Sequence, residues 1–309
     1  GLGDVYKRQE LAGHEMESEY RTAESSGDLW RMLLGDSTER LGELPDESVD
    51  MSMFSPPFSS LYTYSASERD LGNSSNAGEF WVHFGYIIDH LLRVMKPGRN
   101  VAVHVSQLPM TMVTDGVIAM RDFRGDTVRE FVARGFVFHG EVTIDKDPQA
   151  QAIRTKSKGL LFVQKERDRS WLRPAFADYI LVFRKPGDNA VPIVHDQITN
   201  NEWISWARPI WYGINEYEVL NKIEAREQRD EKHIAALQLE TIRRCVRLWS
   251  NPGDLVLSPF AGIGSEGYMA LKLDRRFVGI ELKRSYYEAA CRNIARAGAA
   301  MTLGLEVSA

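Results

Sequence analysis

Short apolar runs alternate with stretches of helical periodicity along most of the chain. Residues 30–36, "WRMLLGD", read as a strand that stops at Gly-Asp. "STERLGELPDESVD" reads as a short helix and a turn, with Pro45-Asp46 as the turn signal. "VDMSMF" is the next strand. Pro56 and Pro57 end it, because neither has an N–H to give to a ladder. A run rich in Ser, Gly and Asn follows and predicts a long loop, of the kind that usually forms a lid or binding loop. "EFWVHFGYIIDHLLRVMKPG" then places Phe80, Phe84, Ile87, Ile88, Leu91 and Leu92 on one side of a helix stopped by Pro97-Gly98. "RNVAVHVS" is a buried strand, "DTVREFVARGF" an amphipathic helix, and "VFHGEVTID" and "DYILVFRKPG" are strands.

Two regions break this rhythm, residues 146–175 and roughly 188–230. They hold Trp171, Trp203, Trp206 and Trp211, most of which are expected to pack an inserted lobe against the sheet. The alternation resumes with the helix "EKHIAALQLETIRRCVRLW". It continues through the strand "DLVLSPF", a glycine loop, the helix "SEGYMALKL", the strand "RRFVGIEL" and the helix "SYYEAACRNIARAG". Helices between apolar strands predict an α/β sheet covered on both faces. No internal repeat is visible. Residues 1–20, with no periodicity, are expected to be a leader outside the fold.

With 309 residues, 43% of them hydrophobic, the chain can bury a sizeable core. No apolar run approaches the ~20 residues that a membrane helix needs. Cys245 and Cys291 lie far apart and have no C-x-x-C spacing, so neither a disulfide framework nor a zinc site is expected, and a reducing cytoplasm is the default location. Net charge is −5, so a nucleic-acid partner would need basic residues concentrated in one region.

"FAGIGSEG" contains Gly262, Gly264 and Gly267, a G-x-G-x-x-G between a strand and a helix. Glu281 closes the next strand. This pattern fits a dinucleotide, with backbone close to the ligand and an acid on the ribose. It fits S-adenosylmethionine equally. Chain order separates the two. A nicotinamide domain needs several more strands after this loop, and only about 40 residues follow Gly267. The rest of the sheet must come from upstream, which is a permuted order.

Taken together, Gly35-Asp36, Ser55-Pro56-Pro57-Phe58, the irregular 146–230 region, "EKHIAALQLE", "SPFAGIGS" and "GIELK" occur in the order found in β-class amino DNA methyltransferases. The chain resembles that family over roughly residues 30–300. The resemblance implies a Rossmann-like S-adenosylmethionine methyltransferase sheet with an inserted target-recognition region. It divides the chain into a catalytic half (21–145), a target-recognition region (146–230, with strand 178–185 in the core sheet) and a cofactor-binding half (231–309).

It also gives the two prolines a task. An exocyclic amine is a poor nucleophile because its lone pair is delocalised into the ring. Acceptors pulling on its N–H groups favour the pyramidal form that attacks. The prolines keep the chain extended, so that the Pro56 carbonyl can face the amine, with the Ser55 hydroxyl as second acceptor and Phe58 as a stacking face for a flipped base. Flipping costs a few kcal/mol, and stacking returns ~1–3 kcal/mol. No metal is needed. By the same resemblance, Asp36 accepts from the cofactor adenine and Glu281 holds its ribose. Ser258, Phe260, Gly262, Gly264 and Ser265 form the cofactor loop, and Lys232 and His233 lie near its carboxylate. Ser258 stands where the family often has Asp.

DNA is the implied partner. Its backbone footprint is expected on Arg154, Lys156, Lys158, Lys165, Arg167 and Arg169, in the most basic stretch of the chain. A homodimer and a cognate restriction enzyme are left open. Ser before Pro-Pro favours cytosine N4 as the target, with adenine N6 as the alternative. A silent DNA-binding protein on the same fold is a further alternative, disfavoured by the intact Ser55, Asp36 and Glu281. An RNA or protein-amide methyltransferase usually places its Pro-Pro after the glycine loop. Carbon-5 cytosine chemistry needs a nucleophilic Cys after Pro, and both cysteines read instead as helix residues.

Overall fold

The computed structural model describes residues 21–57, 77–110, 112, 115–149, 151, 165–166, 168–171, 173–194, 198–220 and 236–302. The expected leader, the loop after Pro57 with Phe58, and Arg154, Lys156, Lys158, Arg167, Lys232 and His233 lie outside these residues.

The strands are β1 (Ala23–Gly27), β2 (Trp30–Leu34), β3 (Met51–Phe54), β4 (Asn100–Ser106), β5 (Leu108–Met110), β6 (Ala119–Arg121), β7 (Val137–Ile144), β8 (Asp178–Arg184), β9 (Ile210–Trp211), β10 (Leu255–Ser258) and β11 (Arg276–Glu281). The helices are α1 (Ser37–Gly42), α2 (Ala77–Val94), α3 (Phe123–Ala133), α4 (Asn200–Trp206), α5 (Leu239–Trp249), α6 (Ser265–Lys272) and α7 (Arg284–Thr302). Strands β5 and β6 pair as a small separate hairpin. The others form one sheet in the order β1-β2-β11-β10-β3-β4-β8-β7-β9. Strands β2, β11, β10, β3 and β4 run parallel. Strand β8 is antiparallel to both β4 and β7, so β7 and its parallel neighbour β9 run with the main set.

Both faces are covered, as the alternation of helix and strand predicts. Period-2 alternation sends Met32, Leu34, Met51, Met53 and Ala102 to α5, α6 and α7. It sends Leu33, Phe54, Val101, Val103 and Val105 to α1, α2 and α3. The second face is rich in rings. Phe80 stacks on Phe84 at 5.5 Å, and Phe131 on Phe183 at 4.0 Å. At the sheet's amino edge Lys96 pairs with Asp50 (2.6 Å) and the buried Arg99 with Asp254 (2.9 Å).

The structure differs from the sequence expectation in several places. Strand β1 was not anticipated. It is a polar edge strand with no apolar alternation, held by the ladder to β2 and by Arg31 on Glu24 (2.6 Å). Helix α5 starts at Leu239: residues 236–238 of the expected helix are not helical, and residues 231–235 lie outside the described residues. Gln238 is extended there, and the Leu239 N–H donates to the Glu218 carbonyl (2.9 Å). Of the described tryptophan side chains in the irregular regions, Trp206 and Trp211 are buried, and the Trp211 Nε1 donates to the Trp206 carbonyl (3.0 Å). Trp203 does not pack: it is 58% exposed on α4.

Candidate active site

Strand direction gathers the site. The carboxyl ends of β2, β11, β10, β3, β4 and β7 and the amino end of β8 share one edge of the sheet. From β10 the chain crosses to β11 on one side; from β3 it crosses to β4 on the other. The loops after β10 and β3 therefore leave a crevice between them, the usual ligand position in such sheets.

The loop after β10 is shaped by its glycines. Gly262 and Gly264 have φ of +53° and +86°, values that favour glycine. A Cβ on Gly262 would meet open space, with no heavy atom beyond its chain neighbours within 4 Å among the described residues. A Cβ on Gly264 would lie 3.0 Å from the Ala290 Cα and 3.1 Å from the Ile294 Cδ1. The first glycine thus leaves room above the sheet, and the second lets α7 approach. Glu281 pins the loop: its carboxylate accepts from the Gly262 N–H (2.8 Å) and the Lys283 N–H (2.9 Å). Asp36 caps α1 by accepting from the Thr38 N–H (2.8 Å). Ser37 donates to the Pro259 carbonyl (2.5 Å), which ties the Gly-Asp element to the glycine loop. Ser258 is fully buried and its hydroxyl has no hydrogen-bond partner among the described residues. Ser265 begins α6, also buried. The Phe260 ring packs on Phe54 at 5.7 Å and on Phe84 at 6.2 Å. It thus joins the glycine loop to the strand that carries Ser55.

Ser55, Pro56 and Pro57 leave β3 at the same edge, with Pro56 buried and the other two half-buried. The Ser55 hydroxyl lies 3.1 Å from the His104 Nδ1 and 3.3 Å from the His104 carbonyl. The His104 Nε2 lies 3.1 Å from the Asp178 carboxylate, which Lys146 also contacts at 2.8 Å. Sequence reading missed His104, Asp178 and Lys146. Burial disfavours the charged Asp178, but its hydrogen bond from His104 and the Lys146 ammonium beside it outweigh that. Its carboxyl therefore sits well below the usual carboxylate range.

Glu266, in the first turn of α6, was also missed. Burial, with the Glu281 charge adding to it, pushes its carboxyl up to about 8. The unfolded carboxyl ionises near the ordinary 4.5. Between these values the folded chain holds a proton that the unfolded chain has lost, so stability falls as pH rises from about 4.5 to about 8. Glu266→Gln is expected to remove this slope and to raise stability at pH 8 by about 2–4 kcal/mol. Urea melts of both proteins at pH 5 and pH 8 check it. Equal pH slopes would mean that Glu266 is ionised in the fold.

The expected DNA-contacting residues are only partly described. Arg169 is exposed, and Lys165 is 62% exposed beside Glu166 (3.4 Å). Arg173, at the end of the basic stretch, turns inward over the Phe176 ring (3.4 Å to its centre). Cys245 is buried in α5 and Cys291 partly buried in α7, and burial pushes both thiols up, which disfavours a nucleophilic thiolate. Among the described residues no group of three or more acidic, His or Cys side chains could hold a metal ion, and no helix is long and apolar enough to cross a membrane.

Residues 49–292 match the profile of a DNA methylase family whose members are N6/N4 methyltransferases. The Type II methyltransferase M.BglI of Bacillus subtilis is 21% identical, over 84% of each chain. The fold is similar to that of TTHA0409 of Thermus thermophilus in complex with S-adenosyl-L-methionine, with a TM-score of 0.64 and 22% identity over 86% of this chain and 94% of that one. It is also similar to the cytosine-N4-specific PvuII DNA methyltransferase, with a TM-score of 0.56 and 19% identity over 90% and 94% of the two chains. With its glycine loop and its Ser-Pro-Pro element on one crevice and the profile spanning both, the chain belongs to the N6/N4 DNA methylase family.

Proposed function

We propose that this DNA methylase transfers a methyl group from S-adenosylmethionine to the N4 amine of a flipped cytosine. The carrying observation is that the Ser55-Pro56-Pro57 turn and the glycine loop flank one crevice, joined through Phe54 and Phe260.

The residues present suit the cofactor. Gly262 leaves free space, Glu281 offers a carboxylate at the carboxyl end of β11, Asp36 offers one after β2, and Ser258 has a buried hydroxyl without a partner among the described residues. When bound, S-adenosylmethionine supplies an electrophilic methyl on a sulfonium. In this reading Ser55 and the Pro56 carbonyl accept from the target amine and direct its lone pair, while Phe58 stacks on the base. Ser in place of an acid before Pro-Pro supports cytosine N4. The cytosine-N4 specificity of the similarly folded PvuII enzyme agrees with it.

The test is to incubate the protein with unmodified DNA and S-adenosylmethionine, then identify the modified nucleoside by mass spectrometry. N4-methylcytosine is expected. N6-methyladenine would move the target to the alternative base, and no modified nucleoside would overturn the reading.

The basic segment carries a second expectation. Neutralising Arg154, Lys156 and Lys158 together should weaken binding across DNA sequences. It should lower the slope of log affinity against log salt by up to about 3, close to one unit per phosphate contact. An unchanged slope would place the footprint elsewhere.

A further inference from the structure

The side chains behind Ser55 form a chain that the Pro-Pro chemistry does not use. Sheet alternation places Ser55, His104 and Asp178 on one face, in line with Met53, Ala102 and Ile180. Register brings them together: Phe54 pairs with Val103, and Ser106 with Asp178, so His104 lies diagonally beside Asp178 and next to Ser55. A polar residue in the middle of "VAVHVS" has a cost when buried, and here it is only 8% exposed.

The geometry points to a hydroxyl–imidazole–carboxylate relay in which Asp178 and His104 hold Ser55 as an acceptor for the target amine and take up the proton that the amine releases. This rests on the amino-methylation reading above. Asp178 is an acceptor only, so the His104 Nε2 facing it at 3.1 Å carries the ring proton. The Nδ1 is then a lone pair, and the Ser55 hydroxyl 3.1 Å away donates to it. The other position open to that hydrogen, the His104 carbonyl at 3.3 Å, also points it away from the substrate. In both cases the Ser55 oxygen presents its lone pairs. Lys146 at 2.8 Å from Asp178, with Glu216 at 3.9 Å behind it, keeps the carboxylate oriented.

The step balances. The amine lone pair forms the new C–N bond, and the C–S bond breaks with its electron pair going to sulfur. The nitrogen, now positive, gives one proton to Ser55 as the Ser55 proton passes to the His104 Nδ1. The imidazolium is held by Asp178 and later returns its proton to solvent. His104 is thus a positioning residue that acts through Ser55. Among the described residues, the charged or titratable groups linked to it are Asp178 from β8, Lys146 after β7 and Glu216 after β9.

The test has two arms. In the protein without cofactor or DNA, ¹⁵N-histidine NMR should find His104 protonated on Nε2; an Nδ1-protonated ring would overturn the relay. Under single turnover, His104→Ala should slow methyl transfer by about 100-fold and no more than Ser55→Ala does. The double variant should match Ser55→Ala, because both changes break one pathway. His104→Asn can still accept from Ser55 but cannot take a proton. The relay predicts a fall in rate toward low pH in the unaltered enzyme that is absent from both His104→Asn and Ser55→Ala. Multiplying effects in the double variant, an unaltered rate in His104→Ala, or a surviving acidic limb would overturn the relay while leaving the methyltransferase reading in place. An unaltered enzyme that methylates no base would overturn both. If the His104 variants do not fold, the NMR arm and the Ser55→Ala pH profile decide.

Discussion

Valine at Gly264 is expected to cost the fold, and valine at Gly262 to cost the cofactor. Both glycines have positive φ, so both substitutions bear backbone strain of about 1–3 kcal/mol. Their surroundings differ. At Gly264 even a Cβ would sit 3.0 Å from the backbone of α7 at Ala290, and valine adds two more carbons. Helix α7 also packs on α6, so it cannot retreat without opening the core on that face. Overpacking adds about 1–3 kcal/mol, for a total of about 2–6 kcal/mol. That is a large share of the ~5–15 kcal/mol by which a domain is usually stable. At Gly262 a Cβ meets no other heavy atom within 4 Å among the described residues, so stability should fall by little more than the backbone strain. The side chain would instead fill the space proposed for S-adenosylmethionine. Thermal melts and isothermal titration with S-adenosylmethionine separate the two. Gly264→Val should melt far below Gly262→Val, while Gly262→Val should fold and show no measurable binding. Unchanged affinity in Gly262→Val would remove the loop from the cofactor site.

The same loop shows what a sequence can carry. Glycine spacing, the preceding strand and the acid at the end of the next strand are local, and the structure has all three, with Glu281 gripping the Gly262 amide. The alternation of helix and strand was equally readable, because each core strand and helix presents its own apolar period. What was not readable depended on register. His104 and Asp178 are 74 positions apart and meet only because β8 runs antiparallel beside β4. The available signal was a histidine interrupting the apolar run "VAVHVS" and an acid opening "DYILVF", both on the inward parity. Neither residue names its partner without the strand order. Strand β1 was hidden for the opposite reason: its ladder needs no apolar side chains. Glu266 was hidden because an acid in the first turn of a helix reads as an exposed dipole partner, and only the packing of α6 buries it.

Ser55→Ala is expected to leave the fold and cofactor affinity intact and to slow methyl transfer about 100-fold. The alanine methyl replaces a half-buried hydroxyl, and the one polar group it strands is the His104 Nδ1, at a cost of about 1–3 kcal/mol in stability. That loss is tolerable in a core of this size. The kinetic loss is larger because the hydroxyl acts where charge changes. As the amine attacks, its N–H groups become more acidic, and an acceptor fixed beforehand gains strength at that moment without having to reorganise. Removing one such transition-state hydrogen bond costs ~2.7–4 kcal/mol, and the lower end applies here because the Pro56 carbonyl still accepts from the amine. Ser55→Thr keeps the hydroxyl and should retain most of the rate. The comparison needs single turnover with DNA and S-adenosylmethionine saturating, so that product release does not mask chemistry. A fall in affinity for DNA with the saturated rate unaltered would assign Ser55 to ground-state binding. An unaltered rate in Ser55→Ala would leave the two prolines as a strand-ending turn, and the acceptor for the amine would then have to be sought elsewhere along the edge that β3, β4 and β8 share.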